Sequence, residues 1–225
     1  YAISALDSIL QDLYSNGTLF HYRKNEKEYV EGFLNDYSFV INGCIYIYLS
    51  SREERYLDTA KKLDDMLYSL FFNSGHLKFK SKFSEKEILE PDDPYDSAIP
   101  SGVSVELENL LYLEKITGEK KYKELFDNLV NSYKPSYSSN PYAFSYFLRV
   151  LLLEKQGWLK LTYDPSMRNN EKLIEIIRNL NLSKYRIVSE CKKMPDNALI
   201  QICDDQKCMI YQNTDELAEK MNSFL

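Results

Sequence analysis

The feature that most constrains this chain is an alternation between segments that are apolar along one stripe and segments that are apolar nearly all the way round. Residues 2–14 place Leu6, Ile9, Leu10 and Leu13 at the i, i+3, i+4, i+7 spacing of an amphipathic helix. Residues 34–50, LNDYSFVINGCIYIYLS, have few polar positions, which predicts a helix enclosed on most sides. Residues 52–72 return to a single stripe through Tyr56, Ala60, Leu63, Leu67, Leu70 and Phe71, with a charged face opposite. The same pair of patterns follows at 101–117 (apolar), 119–133 (amphipathic) and 141–154 (mostly apolar). A helix with one apolar stripe needs a neighbour on one side, whereas an apolar helix needs cover on several. Together they predict a mainly α fold, an array of α/α hairpins in two layers with amphipathic helices outside.

An internal repeat supports the same architecture. Tyr122 lies 66 residues after Tyr56, and that offset superposes IYIYLSSREERY on LYLEKITGEKKY, a helix end, a short turn and a helix start. Three hairpins form an arc with two open ends, each with apolar flanks that call for cover by further hairpins or another subunit. The chain starts at Tyr1, in a helical pattern, and is expected to be a piece of a longer protein whose N-terminal part supplies that cover. Beyond residue 156 the pattern changes. WLKLTY, YRIVSE, ALIQIC and CMIY have strand character, while EKLIEIIRNL and TDELAEKMNSFL are helical, predicting a β-α-β-β-β-α tail. The expected division is a helical domain over 1–156 and a small α/β subdomain over 157–225.

A net charge of −6 without a concentrated basic patch argues against a nucleic-acid partner. No run reaches the ~18 uninterrupted apolar residues of a membrane span, and a cytoplasmic location is expected. The 19 Tyr and 11 Phe supply packing volume and flat faces for a ligand. His21 and His76 read as loop or hairpin surface residues, too few for a metal site, and no cofactor is expected. Cys203 and Cys208 flank DDQK between two strand patterns, so a hairpin would set them opposite each other. A disulfide is feasible there, while free thiols are the default in a reducing compartment.

Inner helices of such an array run parallel, so their N-terminal ends gather on one rim. The segments entering them, 32–38, 94–104 and 138–144, carry polar and aromatic groups where helix starts leave free N–H donors, suiting a polyhydroxyl or anionic ligand. Asp36 and Asp96 are the expected acid/base pair, with helix capping and loop bracing as the competing structural roles. Tyr37, Tyr95 and Tyr142 are expected as ring-stacking walls. Ser101 is expected to cap the fourth helix at the rim and contribute to binding, and Gly102 to permit close approach of backbone or ligand. PSGVS is not the G-x-S-x-G turn of a nucleophilic serine.

GFLNDYSFVINGCIYIY, REERYLDTA, YDSAIPSGVSVELENLLYLEKITGEKKY and CDDQKCMIYQNTDEL together resemble the thioredoxin-domain-containing family of bacterial YyaL and spermatogenesis-associated protein 20. The resemblance runs in order through nearly the whole chain and implies the C-terminal part of that family, a partial α/α toroid similar to six-hairpin glycosidases and sugar epimerases. Asp36 and Tyr37 match the family's E-D-Y-A, and Pro100, Ser101, Gly102 and Ser104 match its P-S-G-N-S, with Val103 in place of Asn. Acidic EPDDP stands where the family has a basic pair. The resemblance implies carbohydrate metabolism, with sugar binding, epimerisation or hydrolysis by a carboxylate pair. A non-catalytic scaffold or protein-binding module is the competing reading.

Overall fold

The structure, a computed structural model, describes residues 1–24, 28–81, 94–179, 185–191, 193–204 and 206–220. Most of the acidic EPDDP stretch (residues 90–93), Asp205 and the last five residues of the C-terminal helical pattern lie outside them. Two compact units make up the chain, Tyr1–Val150 and Leu151–Leu225. The division falls inside the sixth helix, whereas the sequence pattern places it at that helix's end.

In the first unit the helices are α1 (Ala2–Leu13), α2 (Leu34–Ser51), α3 (Glu54–Phe71), α4 (Gly102–Thr117), α5 (Lys120–Ser139) and the first part of α6 (Ser145–Gln156), the last entered through a 3-10 turn at Pro141–Phe144. The periodicities set their roles. Every residue from Ser101 to Leu113 is buried, so α4 is enclosed throughout its first three turns. On α3 and α5 burial is confined to one stripe, Tyr56, Ala60, Leu63, Leu67 and Phe71 on the first and Tyr122, Phe126, Leu129 and Tyr133 on the second. Two expectations change. α2 leaves Phe39 and Tyr46 exposed on one face, and α1 buries only Leu6 of its stripe while Ile9 stays at the surface. The fold is a mainly α hairpin array with a small α/β tail.

The 66-residue repeat is a repeat of geometry. α2 ends at Arg52 (φ 64°), whose N–H donates to Tyr48 O at 2.8 Å, and α4 ends at Gly118 (φ 72°), whose N–H donates to Glu114 O at 2.8 Å. Each left-handed residue closes the inner helix and turns the chain into an outer one, the usual C-terminal device of α-helices. Tyr56 and Tyr122, at the start of the outer helices, donate their N–H groups to Glu53 O and Glu119 O.

A second recurrence escapes the periodicity reading. β1 (Tyr14–Ser15) pairs with β2 (Thr18–Lys24), and β4 (Phe72–Asn73) with β5 (His76–Leu77), each through a two-residue turn, Asn16-Gly17 and Ser74-Gly75. Both residues of both turns have positive φ, as the right-handed twist of a tight hairpin requires. β3 (Glu28–Glu31) extends the first hairpin to a three-stranded sheet. A tyrosine from the helices plugs each hairpin: Tyr37 Oη accepts from Leu19 N–H at 3.0 Å, and Tyr133 Oη accepts from Leu77 N–H at 3.1 Å.

The second unit is the predicted tail. β6 (Trp158–Tyr163) is followed by α7 (Glu171–Asn179), β7 (Tyr185–Glu190), β8 (Ile200–Cys203), β9 (Cys208–Tyr211) and α8 (Thr214–Lys220), with strand order β7-β6-β8-β9. β6 runs parallel to β7, the connection that α7 supplies, and antiparallel to β8. Leu161, Leu173, Ile200, Ile202 and Leu217 form its core. Cys203 and Cys208 are register partners and are joined by a disulfide. Among the described residues no helix is long and apolar enough to cross a membrane.

Candidate functional site

The rim where α2, α4 and α6 begin is tied together by polar side chains reaching across helix starts. Asn35 Oδ1 accepts from Gly102 N–H at 2.9 Å, so the first turn of α2 satisfies one of the open donors of α4. A Cβ at position 102 would stand 2.4 Å from that oxygen, which is why glycine sits there. Ser101 caps α4: its Oγ accepts from Ser104 N–H at 3.1 Å and lies 3.0 Å from Ser104 Oγ.

Asp96 is a brace. Its Oδ1 accepts from Ser101 N–H at 2.9 Å, and its Oδ2 accepts from Tyr146 N–H at 2.8 Å and Phe147 N–H at 3.3 Å, joining the entry of α4 to the first turn of α6. Asp36 reaches back to the start of its own helix, accepting from Phe33 N–H at 2.8 Å, and holds His21 Nδ1 at 2.8 Å. That ring is set by an edge contact with Phe33, which itself stacks on Phe79 at 4.9 Å. The two carboxylates thus occupy the rim but turn toward different elements, Asp36 to β2 and Asp96 to α4 and α6.

The expected aromatic walls separate. Tyr37 is completely enclosed, its hydroxyl bonded to the β1–β2 hairpin, and it therefore packs the core; the expectation of a stacking wall is corrected at this position. Tyr95 is half-exposed with its ring edge-on to Phe144, and Tyr142 projects from the 3-10 turn at 92% exposure. Ser101 is buried as a cap.

A second constellation was not singled out in the sequence. Glu108, whose side chain is fully buried on α4, accepts through Oε2 from Tyr146 Oη at 2.6 Å and from Asn42 Nδ2 at 3.4 Å, and through Oε1 from Arg149 Nη1 at 3.2 Å. The Arg149 guanidinium lies 5.0 Å over the Tyr146 ring and is half-exposed. Burial, the bond to Glu108 and its charge push the Tyr146 phenol well up, and burial with the same carboxylate raises Tyr46. Tyr46 meets Tyr112, its repeat equivalent, edge to face at 5.6 Å. Beside this cluster a depression of about 290 Å³ is lined by Asp96, Ser97, Ile99, Pro100, Tyr146 and Arg149. The available signal was the two Glu residues, Glu106 and Glu108, in VSVELENLLYL and a lone Arg in FSYFLRVLLL, since charges inside enclosed helices require partners. Among the described residues no group of three or more His, Cys, Asp or Glu side chains could hold a metal ion.

No protein-family model matches the chain. Among curated proteins it is similar to spermatogenesis-associated protein 20 of Rattus norvegicus, 25% identical over 199 residues covering 79% of this chain. The Homo sapiens protein of the same name is 24% identical over 201 residues, 80% of this chain. The chain spans about a quarter of the length of these relatives (25% and 26%). Among solved structures it is similar to a GH76 alpha-mannanase of Bacteroides thetaiotaomicron at a TM-score of 0.44 and 12% identity, covering 67% of this chain and 49% of that one. These curated relatives carry one of the names of the family that the sequence motifs resemble.

Proposed function

We propose that this chain, similar over four-fifths of its length to spermatogenesis-associated protein 20, contributes a binding surface for carbohydrate-like, polyhydroxyl ligands to a longer protein. The observation that carries the reading is the Glu108–Tyr146–Arg149 cluster beside the Asp96–Pro100 depression. The buried Glu108 carboxylate holds the Tyr146 hydroxyl and the half-exposed Arg149 guanidinium in fixed directions beside the depression, so polar groups and an aromatic ring line it together, a combination that suits hydroxyl-rich ligands. Asp96 serves this surface as a brace, because both its oxygens are engaged by backbone N–H groups. Acid/base work by an Asp36–Asp96 pair is the weaker reading, because the two carboxylates turn toward different elements and Asp36 is engaged by His21 Nδ1 and Phe33 N–H.

A protein-binding role is the second reading, favoured by Ile99, Tyr95 and Tyr142 exposed around the same rim. A thermal-shift screen of the chain against mono- and oligosaccharides separates the two. A ligand at a hundredfold excess over its Kd stabilises by about 2.7 kcal/mol. The expected result is such a shift in the wild type, diminished in Tyr146→Phe and Glu108→Gln and retained in Asp36→Asn. No saccharide shift, with binding to a peptide library lost in Ile99→Asp, would give the surface to a protein partner.

A further inference from the structure

Outside this surface, two acidic side chains meet in the interior of the first unit. Asp64 on α3 and Glu106 on α4 are 1% and 0% exposed. Glu106 Oε2 accepts from Asn109 Nδ2 at 3.1 Å, and Asn109 is fixed in turn by Ser38 O and by Asn42. Glu106 Oε1 and Asp64 Oδ1 are buried without a donor. Two ionised carboxylates offer only acceptors to each other, and burying both without a cation is far costlier than neutralising one. A single proton on either carboxyl would give the buried, unpartnered oxygens of the other a donor.

Among the described residues neither carboxylate forms an ion pair. On α5, Lys121 is half-exposed and engaged with Asp65 at 3.0 Å and Glu119 at 3.8 Å, while Lys61 of α3 holds Glu119 at 2.6 Å. Tyr68 of α3 and Tyr122 of α5 add neutral hydroxyls, Ser38 of α2 another, and Tyr133 of α5 bears on Tyr68. Of these, Lys121 favours ionised Asp64, whereas Asp65 and Glu119 oppose it.

We infer that Asp64 and Glu106 bind one shared proton at neutral pH, and that this buried proton is a structural component linking α3 to α4 whose loss at higher pH loosens the helical unit. Burial is the largest cause holding both the Asp64 and the Glu106 carboxyls above the ordinary carboxylate range. The unfolded chain releases its carboxyl protons at about pH 4. The folded state therefore binds more protons than the unfolded state above that pH. The contribution is complete below the unfolded value and is lost as pH rises through the folded one, at up to about tenfold in the folded-to-unfolded ratio per pH unit for one proton.

Thermal and denaturant unfolding of the chain from about pH 5 to about pH 8, with Glu106→Gln in parallel, tests this directly. The Gln amide donates to Asp64 permanently, so the wild type is expected to lose stability with rising pH and the variant to be flatter by about tenfold per pH unit. Infrared spectra at neutral pH are expected to contain the carbonyl stretch of a protonated carboxyl group, absent from the variant. Parallel pH profiles, or no such band in the wild type, overturn the proposal. Stabilisation by calcium chloride, reversed by chelator and without the band, would give the carboxylates to a cation and overturns it too. Should Glu106→Gln not fold, the wild-type band alone decides.

Discussion

Three backbone N–H groups converge on Asp96, one from the entry of α4 and two from the first turn of α6. Removing the carboxylate leaves all three without their acceptor. Asp96→Ala is therefore expected to cost about 1–3 kcal/mol in denaturant unfolding, and Asp96→Asn, which keeps one acceptor oxygen, about 1 kcal/mol. A variant of unchanged stability would show that these three bonds do not brace the helix entries. In the sequence, an acid two residues into a polar segment before an apolar helix reads equally as cap and as catalyst, because both roles need a carboxylate at a helix start. Tyr37 was misread for a related reason. Its place beside Asp36 is visible, but the hairpin that encloses it begins 23 residues earlier at Tyr14 and carries no helical period.

Helical elements were legible because their signals are local. The amphipathic stripe on α3, the apolar run on α4 and the repeat joining their ends all follow from residues within a few turns of each other. The repeat also isolates a backbone effect. Gly118 has φ 72° with nothing within 4 Å of an added Cβ, so Gly118→Ala changes conformational preference without a clash. A loss of about 1 kcal/mol in the unfolding of the helical unit is expected, the cost of a left-handed alanine. Urea titrations followed by circular dichroism measure it, and an unchanged midpoint would mean the turn relaxes out of that conformation. The β1–β2 and β4–β5 hairpins were the elements missed or only half-read, since two-residue strands have no period and only the Asn-Gly and Ser-Gly pairs announce them.

At the scale of the whole molecule, two units of different construction share one chain. The α/β unit closes its β8–β9 hairpin with a disulfide across a sequence separation of 5. So short a loop contributes about 2 kcal/mol by the chain-entropy estimate. Reduction is expected to lower the unfolding free energy of that unit by no more than this amount, with hydrogen exchange rising first at Ile202 and Met209; global unfolding on reduction would contradict it. Spacing brought the two cysteines together, but their state depends on oxidation, which the sequence does not encode. The Glu108 cluster was illegible for another reason: its members come from α2, α4 and α6, and only the packed array sets them side by side. The contact between Asn35 and Gly102 has a mechanical meaning as well. Two helix starts are clasped at hydrogen-bond length by a position that has no room for even a methyl group, so the spacing of α2 and α4 at this end is set by one backbone N–H and one side-chain oxygen.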